Sequence, residues 1–191
     1  MNKLIFIMWV SWAGKSTVLE KLLTHTNWIT VNTTTTRPIR PWETDGVTYD
    51  FVDDTRFNEL LAQDDFIEYA LVHKTSRYGT RKSLVKQAFD QWVDVIKNLE
   101  IFGREKIVAQ QDVRQYSRSI FMDIPDEEMT RRILDRDPGC LQVEIDHRLE
   151  SAQYERAQAK KLCDHYVNVF GMTREEQYDN IHQLINQIAQ E

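Results

Sequence analysis

Residues 4–17 have the sequence LIFIMWVSWAGKST. The first seven, Leu4–Val10, are all apolar and too few to cross a membrane, so they predict a buried β-strand. After a turn, apolar residues recur at helical spacing through Ser16–Leu23, which predicts an α-helix. The segment therefore indicates a strand, a turn and a helix, the unit from which α/β folds with parallel sheets are built.

The turn before this helix carries Gly14-Lys15-Ser16-Thr17, the second half of a Walker A phosphate-binding loop. In that motif the backbone N–H groups hold phosphates, Lys15 reaches the β- and γ-phosphates, and the Ser16 hydroxyl binds Mg²⁺. A chance Gly-Lys-Ser at a helix N-terminus is the alternative, and the preceding strand argues against it. The full motif requires a glycine where this chain has Trp9, so we expect ATP binding to be weakened.

Strands and helices alternate along the rest of the chain, which predicts a mostly parallel sheet covered on both faces. The expected strands are Trp28–Val31, Val93–Ile96, Ser119–Ile124 and Tyr166–Val169. The expected helices are Lys82–Trp92, a helix capped by Asp126 and ending near Arg136, Val143–Lys161, and Arg174–Gln190. Residues 33–80 are polar and turn-rich, and they indicate an inserted subdomain with strands at Thr48–Val52 and Phe66–Val72 and a helix near Arg56–Ala62.

Residues 33–49, TTTTRPIRPWETDGVTY, are the most specific signal in the chain. Arg37 and Arg40 flank a proline and make a stiff loop with two positive charges, which suits a phosphate monoester because arginine clamps such oxyanions with paired hydrogen bonds. A solvated turn with two surface arginines is the alternative. The segment closely resembles the signature of the guanylate kinase family, with its hydroxyl run, Thr-Thr-Arg, Asp-Gly and tyrosine.

The resemblance extends from about Lys3 to Ile188 and implies a fold. It implies a single domain, residues 1–191, of P-loop NTPase-like three-layer α/β/α architecture. Residues 1–32, 81–125 and 164–191 would form the core, residues 33–80 a GMP-binding subdomain, and residues from about 126 to 163 a lid. It also implies transfer of the ATP γ-phosphoryl group to GMP, giving ADP and GDP, with Mg²⁺ as cofactor.

The resemblance also implies site residues. Those for GMP are Thr33, Arg37, Arg40, Tyr49, Glu68, Tyr78, Thr80 and Glu100, with Glu68 and Thr80 on the base and the tyrosines on the phosphate. Those for ATP are Gly14, Lys15, Ser16, Thr17 and Asn168, with Ser16 as the Mg²⁺ ligand. The residues that would stabilise the transferred phosphoryl group are Lys15, Arg37, Arg40, Arg132, Arg136 and Arg148.

Tryptophan replaces glycine at four positions of the family pattern: Trp9, Trp12, Trp42 and Trp92. Loop glycines allow positive φ and a close backbone approach to phosphate, so Trp9 and Trp12 in the phosphate loop predict strain and impaired activity. Two other functions therefore stay open. The chain could be an inactive guanylate-kinase-like binding module, or a kinase of another phosphorylated small molecule.

The bulk composition restricts the partners. A net charge of −6 over 191 residues argues against a nucleic-acid binder, and no apolar run is long enough for a membrane span. Cys140 and Cys163 form no disulfide or metal pattern, so we expect a cytoplasmic protein. The expected partners are GMP and ATP, and the chain could be a monomer or a homodimer.

Overall fold

The computed structural model describes residues 2–10, 15–72 and 75–190, and for residues 15–17 and 72 it describes the backbone alone. In chain order the strands are β1 (Leu4–Trp9), β2 (Thr34–Thr35), β3 (Asp50–Phe51), β4 (Phe66–Val72), β5 (Ser76–Arg81), β6 (Val95–Asn98), β7 (Ser117–Asp123) and β8 (His165–Asn168). The helices are α1 (Lys15–His25), α2 (Asp54–Ala62), α3 (Lys82–Asp90), α4 (Ile101–Val108), α5 (Gln111–Arg114), α6 (Asp126–Arg136), α7 (Gln142–Leu162) and α8 (Arg174–Ala189).

The larger sheet has the strand order β6-β1-β7-β8, and its three strand pairings are all parallel. Leu4 of β1 is in register with Val95 on one side and Ser117 on the other. Successive side chains of a strand point to opposite faces. Because Leu4 through Met8 are all buried, both faces of this inner strand are covered. The predicted α/β fold with a parallel core sheet is thus confirmed.

Helices supply that cover, and they do so with regularly spaced apolar side chains. From α1, Val18 and Leu22 enter the main core, and from α8, Ile181 and Ile185 do the same. Among the described residues, no helix is long and apolar enough to cross a membrane.

The smaller sheet has the order β3-β2-β5-β4, with β2 parallel to β3 and the other pairs antiparallel. It packs with α2 around a separate apolar cluster of Phe57, Leu60 and Phe66, in which the two phenylalanine rings stack at 4.5 Å. Gly79 lies so close to this cluster that an added Cβ would be 2.6 Å from the ring of Phe66. A larger residue at position 79 would therefore push the ring aside.

Several predicted elements differ from the structure. The strand expected at Val93–Ile96 lies at Val95–Asn98, and the strand expected at Thr48–Val52 is shortened to Asp50–Phe51. The strand expected at Trp28–Val31 is reduced to one bridge, in which Ile29 pairs with Val95 at the edge of the larger sheet. The N-cap of α6 is Pro125 rather than Asp126, which is the first helical residue and pairs instead with Arg156. Helices α4 and α5 were not among the predicted elements.

Candidate functional site

The candidate nucleotide site lies at the carboxyl ends of the parallel strands, where ligands of open α/β sheets bind. β1 ends at Trp9, and α1 begins at Lys15 on the far side of the phosphate-loop segment. Trp9 is the last residue of an extended strand, has no positive φ and packs partly buried against the main core, so the strain predicted there is absent. The other predictions for this loop lie outside the described residues: Trp12, Gly14, and the side chains of Lys15, Ser16 and Thr17.

Arg37 is held in place by the loop that the sequence analysis singled out. Its guanidinium donates to Glu43 Oε1 at 2.6 Å and to the Pro38 carbonyl at 2.8 Å. The guanidinium also lies 5.4 Å from the ring centres of both Tyr49 and Phe51, a cation–π arrangement. Arg37 is thus fixed in orientation before any ligand is bound.

Glu43 closes this loop, because its other oxygen accepts a hydrogen bond from the Arg40 amide at 2.9 Å. The hydrogen bond from Arg37 holds the pKa of Glu43 below its usual value, and the same bond raises the pKa of Arg37. Both groups are therefore charged at neutral pH. Gly46 sits further along the loop with φ of 74°, a conformation that favours glycine.

Two predicted phosphate ligands meet beside Arg37. The rings of Tyr49 and Tyr78 are 6.1 Å apart, and Tyr78 lies on β5 directly opposite Thr35 of β2. Arg40 is exposed, with its guanidinium 5.9 Å from the ring of Trp42. The structure thus brings Arg37, Tyr49 and Tyr78 together, and it leaves Arg40 at the rim.

Glu68 and Thr80, the residues expected to contact the base, are adjacent on β4 and β5. The Thr80 hydroxyl donates to Glu68 Oε1 at 2.8 Å. Burial raises the pKa of Glu68, while the hydrogen bond from Thr80 and the charges of Lys97 and Lys106 oppose that rise. One oxygen of the Glu68 carboxylate thus accepts a hydrogen bond, and two nearby lysines favour its charged form.

The Thr33 hydroxyl accepts a hydrogen bond from a lysine that the sequence analysis did not identify. Lys97 Nζ donates to Thr33 Oγ1 and to the Val31 carbonyl, both at 2.7 Å. Burial lowers the pKa of Lys97 to about 8, against the opposing effect of Glu68. The signal available in the sequence was a lysine directly after the apolar residues Val95 and Ile96 of the expected strand.

Two carboxylates face each other where β6 ends. Glu100 is the exposed N-cap residue of α4, and Glu155 lies on α7. Burial raises the pKa of Glu155, and the charge of Glu100 adds to the rise. Glu155 accepts from the Ser151 hydroxyl at 3.1 Å through Oε1, while its Oε2 is buried with no hydrogen-bond partner.

The predicted lid arginines lie on α6 and α7. Arg132 donates to Glu128 at 2.7 Å, and Glu128 also binds Arg131, so the two arginines pair along the helix surface. Arg136 and Arg148 have exposed side chains at the end of α6 and on α7. Their roles toward a nucleotide stay predictions.

Asn168 ends β8 and was expected to contact adenine. Its side-chain oxygen accepts from the Phe170 amide at 2.9 Å, which shapes the turn that follows the strand. The residue is exposed at the same edge of the sheet as Asp123 of β7, its partner in register. Its contact with adenine is likewise still a prediction.

These features define a class of protein. A parallel sheet whose inner strand leads through a phosphate-loop segment into α1 is the architecture of a P-loop NTPase-like α/β domain. A crystal structure of guanylate kinase from Anaplasma phagocytophilum superposes with a TM-score of 0.71 at 24% identity, covering 100% of this chain and 87% of that one. This likeness supports the fold.

Sequence comparisons identify the family. Residues 1–188 match the guanylate kinase family model. The guanylate kinase of Cutibacterium acnes is 31% identical over 81% of this chain and 77% of its own length. That of Leifsonia xyli is 37% identical over 70% of this chain, a match that spans about half of the relative, 51%. The chain belongs to the guanylate kinase family, and the predicted transferase of guanylate kinase type is thereby confirmed at the level of the family.

Proposed function

We propose that this chain transfers the γ-phosphoryl group of ATP to GMP, giving ADP and GDP. The observation that carries the proposal is the convergence of Arg37, Tyr49 and Tyr78, which places a fixed guanidinium beside two phenol groups. Arginine and phenolic hydroxyls are donors suited to the oxygens of a phosphate monoester. Glu43 holds the guanidinium in a set orientation, so little rotamer entropy is lost when the phosphate binds.

The base would lie over Glu68 and Thr80. A carboxylate can accept from both the N1–H and the exocyclic amine of guanine, a pair of donors that adenine does not present. Thr80 would turn its hydroxyl away from Glu68 and donate to O6. Thr33 and Arg40 would complete the contacts, and Glu100 would face the nucleotide from the loop after β6. These roles follow the family resemblance and agree with the proximity of Glu68 to Thr80.

Catalysis would rest on positioning and on charge stabilisation, because phosphoryl transfer requires no covalent intermediate on the protein. Gly14, Lys15, Ser16 and Thr17 would hold ATP from the phosphate loop, with Asn168 toward the adenine. Lys15, Arg37 and Arg40, joined by Arg132, Arg136 and Arg148 of the lid, would neutralise charge on the transferred group. Closure of the lid would exclude water.

Mg²⁺ would be held mainly by ATP. Within the described ranges, no three metal-ligating side chains cluster. Mg²⁺ usually takes one or two protein oxygens together with phosphate oxygens and water. Ser16 and the Glu100 carboxylate, with Glu155 beside it, supply oxygen donors of that kind. The bound ion supplies charge neutralisation on the phosphates.

Two further roles stay open beside this one. Trp12 and the replacement of the loop glycine by Trp9 favour a binding module with weak ATP binding, although Trp9 carries no backbone strain. The chain could also act on a different phosphorylated small molecule. We also propose a cytoplasmic protein, since Cys140 and Cys163 are both free thiols, and a monomer or homodimer acting on nucleotides.

Calorimetric titration of the wild-type chain and of Arg37→Met with GMP tests the phosphate site. Loss of hydrogen bonds to a charged group costs about 1.5–3 kcal/mol, so GMP affinity is expected to fall about ten- to a hundredfold. Arg56→Met is the matched control, since Arg56 pairs with Glu59 on the exposed face of α2. This variant should bind GMP as the wild type does.

A coupled assay for ADP release, with GMP and ATP present, tests the reaction. Release that depends on GMP supports the kinase. Binding of GMP without ADP release supports the binding module. Preference for AMP or a sugar phosphate over GMP contradicts the guanine assignment, and equal loss in the Arg37 and Arg56 variants contradicts the assigned phosphate site.

A further inference from the structure

Lys97 is a charged residue on an apolar inner surface. It lies on β6 opposite Phe6 of β1, and only 4% of the residue is exposed. Burying an ammonium is costly unless it is paired and hydrogen-bonded, and an apolar residue of similar size often serves a protein core as well or better. Packing alone therefore does not account for a lysine at this position.

The Lys97 ammonium is tied to the segment that precedes β2. It donates to the Val31 carbonyl and to the Thr33 hydroxyl, each at 2.7 Å. Val31 is itself buried in the main core. The two bonds therefore attach the start of the candidate GMP-binding loop to the parallel sheet and fix the direction of the Thr33 hydroxyl.

The same ammonium acts on Glu68. The charged and polar groups around this carboxylate come from three elements: Thr80 of β5, Lys97 of β6 and Lys106 of α4. Helix α4 approaches closely, because a Cβ added to Gly103 would be 3.4 Å from Glu68 Oε2. Burial favours the neutral acid, whereas both lysines favour the carboxylate.

We propose that Lys97 is a positioning residue for guanine recognition, which fixes the Thr33 hydroxyl and keeps Glu68 as an anion that accepts from the base. The proposal rests on the proposed function, because it assigns Glu68 to the guanine edge. Lys97 itself touches neither substrate. Its contribution passes through the hydroxyl that it bonds and the carboxylate that it stabilises electrostatically.

Steady-state kinetics of Lys97→Met test the proposal. We expect KM for GMP to rise about tenfold while kcat and KM for ATP stay within about twofold. We expect kcat/KM for GMP to rise with pH as Glu68 ionises. Loss of the neighbouring cation raises the pKa of that carboxyl, so the acid limb of the profile should move upward by about one pH unit.

Two further variants separate the causes. Lys97→Gln keeps a neutral donor for the Val31 carbonyl and Thr33 but removes the charge. Its pH profile should therefore shift as that of Lys97→Met does, while its affinity for GMP should fall less. Lys3→Met is the matched control, because Lys3 is similarly buried at 6% and precedes β1 at the opposite end of the sheet. It should leave the GMP kinetics and the pH profile unchanged.

Each outcome of these experiments either supports or overturns the proposed role of Lys97. A Lys97→Met variant whose loss falls equally on kcat and on both KM values, with no movement of the acid limb, would show a merely structural role and overturn the proposal. If Lys97→Met does not fold, an unshifted limb in Lys97→Gln overturns it equally. A wild-type chain that binds no GMP refutes the proposed function instead, which keeps the two failures distinguishable.

Discussion

Trp92 has a backbone conformation that tryptophan rarely adopts, with φ of 61°. It follows Gln91, the C-cap of α3. Its amide donates to the Phe89 carbonyl at 2.9 Å, and the Val93 amide donates to the Ala88 carbonyl at 3.1 Å. This pair of bonds is a Schellman motif, whose left-handed position usually holds glycine because a Cβ is unfavourable there.

Trp92→Gly should therefore stabilise the protein. The left-handed conformation costs a non-glycine residue about 1–2 kcal/mol. Glycine avoids that cost, but it makes the unfolded chain more flexible, which offsets about 0.5–1 kcal/mol of the gain. The indole loses little contact, since Trp92 is 87% exposed. We expect the free energy of unfolding to rise by about 0.5–1 kcal/mol, measured by urea denaturation.

Trp42→Gly is the matched control for that change. Trp42 is also exposed, at 77%, and was also expected to replace a family glycine, but its φ is not positive. The same substitution there brings only the entropic cost, so the free energy of unfolding should fall by about 0.4–1 kcal/mol. Changes of equal sign at both positions would refute the argument from backbone strain.

Local chemistry in the sequence predicts some features of single residues. The arginine–proline loop predicts Arg37 as an anion ligand; that role stays a prediction, while the structure shows its guanidinium held by Glu43 and Pro38. Trp92 was expected where the family has a turn glycine, and its φ of 61° is a conformation that favours glycine. At Trp9 the expected strain is absent because the residue still belongs to the strand. Lys97 could not be identified, since its contacts join residues 64 and 66 positions apart.

Elements with a clear apolar period were predictable, and the short ones were not. β4 has the predicted bounds, and the long helices agree to within two residues at each end. β2 contains two residues, too few for any periodicity, and it exists because Thr34 and Thr35 pair with both β3 and β5. Such pairing is a tertiary effect that local sequence does not encode.

Helix α7 is attached to the core by its buried apolar residues Ile145, Ala152 and Ala159 and by the Arg156 guanidinium. Arg156 donates to Asp123 Oδ1 at 2.7 Å and to the Ile124 carbonyl at 2.6 Å, and it also bonds Asp126. The Arg156 and Asp123 side chains are each 15% exposed. The Arg156 guanidinium thus joins α7, which would carry part of the lid, to the end of β7 and the start of α6.

Arg156→Met should destabilise the protein strongly. Removing one partner from a largely buried ion pair leaves Asp123 Oδ1 and the Ile124 carbonyl without this donor, while Tyr166 still donates to Asp123 Oδ2. Breaking such a pair typically costs about 3–5 kcal/mol. Since the group keeps some contact with solvent, we expect about 2–4 kcal/mol by urea denaturation. Amides of α7 should also lose protection from hydrogen exchange.

Arg131→Met is the comparison on α6. Arg131 makes more ion pairs than most residues of this chain, with Glu128 and Asp135, yet its side chain is 59% exposed. Exposed pairs contribute little, so the change should cost less than about 1 kcal/mol. If Arg131→Met proved as damaging as Arg156→Met, the number of ion pairs rather than their burial would determine stability.

At the scale of the whole molecule, the described residues form two sheets and two apolar clusters of very different size. The main cluster covers both faces of the parallel sheet, whereas the smaller one consists of Phe57, Leu60 and Phe66. The two are linked through β4, because Ile67 belongs to the main cluster while its neighbour Phe66 belongs to the small one. We therefore propose that residues 33–80 open more easily than the core, as segments with few buried contacts do.

Phe57→Ala should weaken GMP binding without weakening ATP binding. Phe57 is fully buried, stacks on Phe66 at 4.5 Å and lies under the Arg77 guanidinium at 4.4 Å. Replacing a buried phenylalanine by alanine costs about 3–5 kcal/mol of stability. An apolar cluster of three buried residues is too small to stay packed after such a loss. The smaller sheet should then open locally, and GMP affinity should fall by at least about tenfold in calorimetric titration.

Ile185→Ala in α8 distinguishes local from global loss. Ile185 is equally buried, but it lies in the main cluster. Its truncation should lower the global free energy of unfolding by about 2–5 kcal/mol and leave GMP affinity unchanged at temperatures where the chain is folded. In native-state hydrogen exchange, Phe57→Ala should expose the amides of β4, β5 and α2 and spare β1 and β7. Equal loss of protection in both sheets would show one cooperative unit, and the candidate GMP-binding subdomain would then have no independent stability on which substrate binding could act.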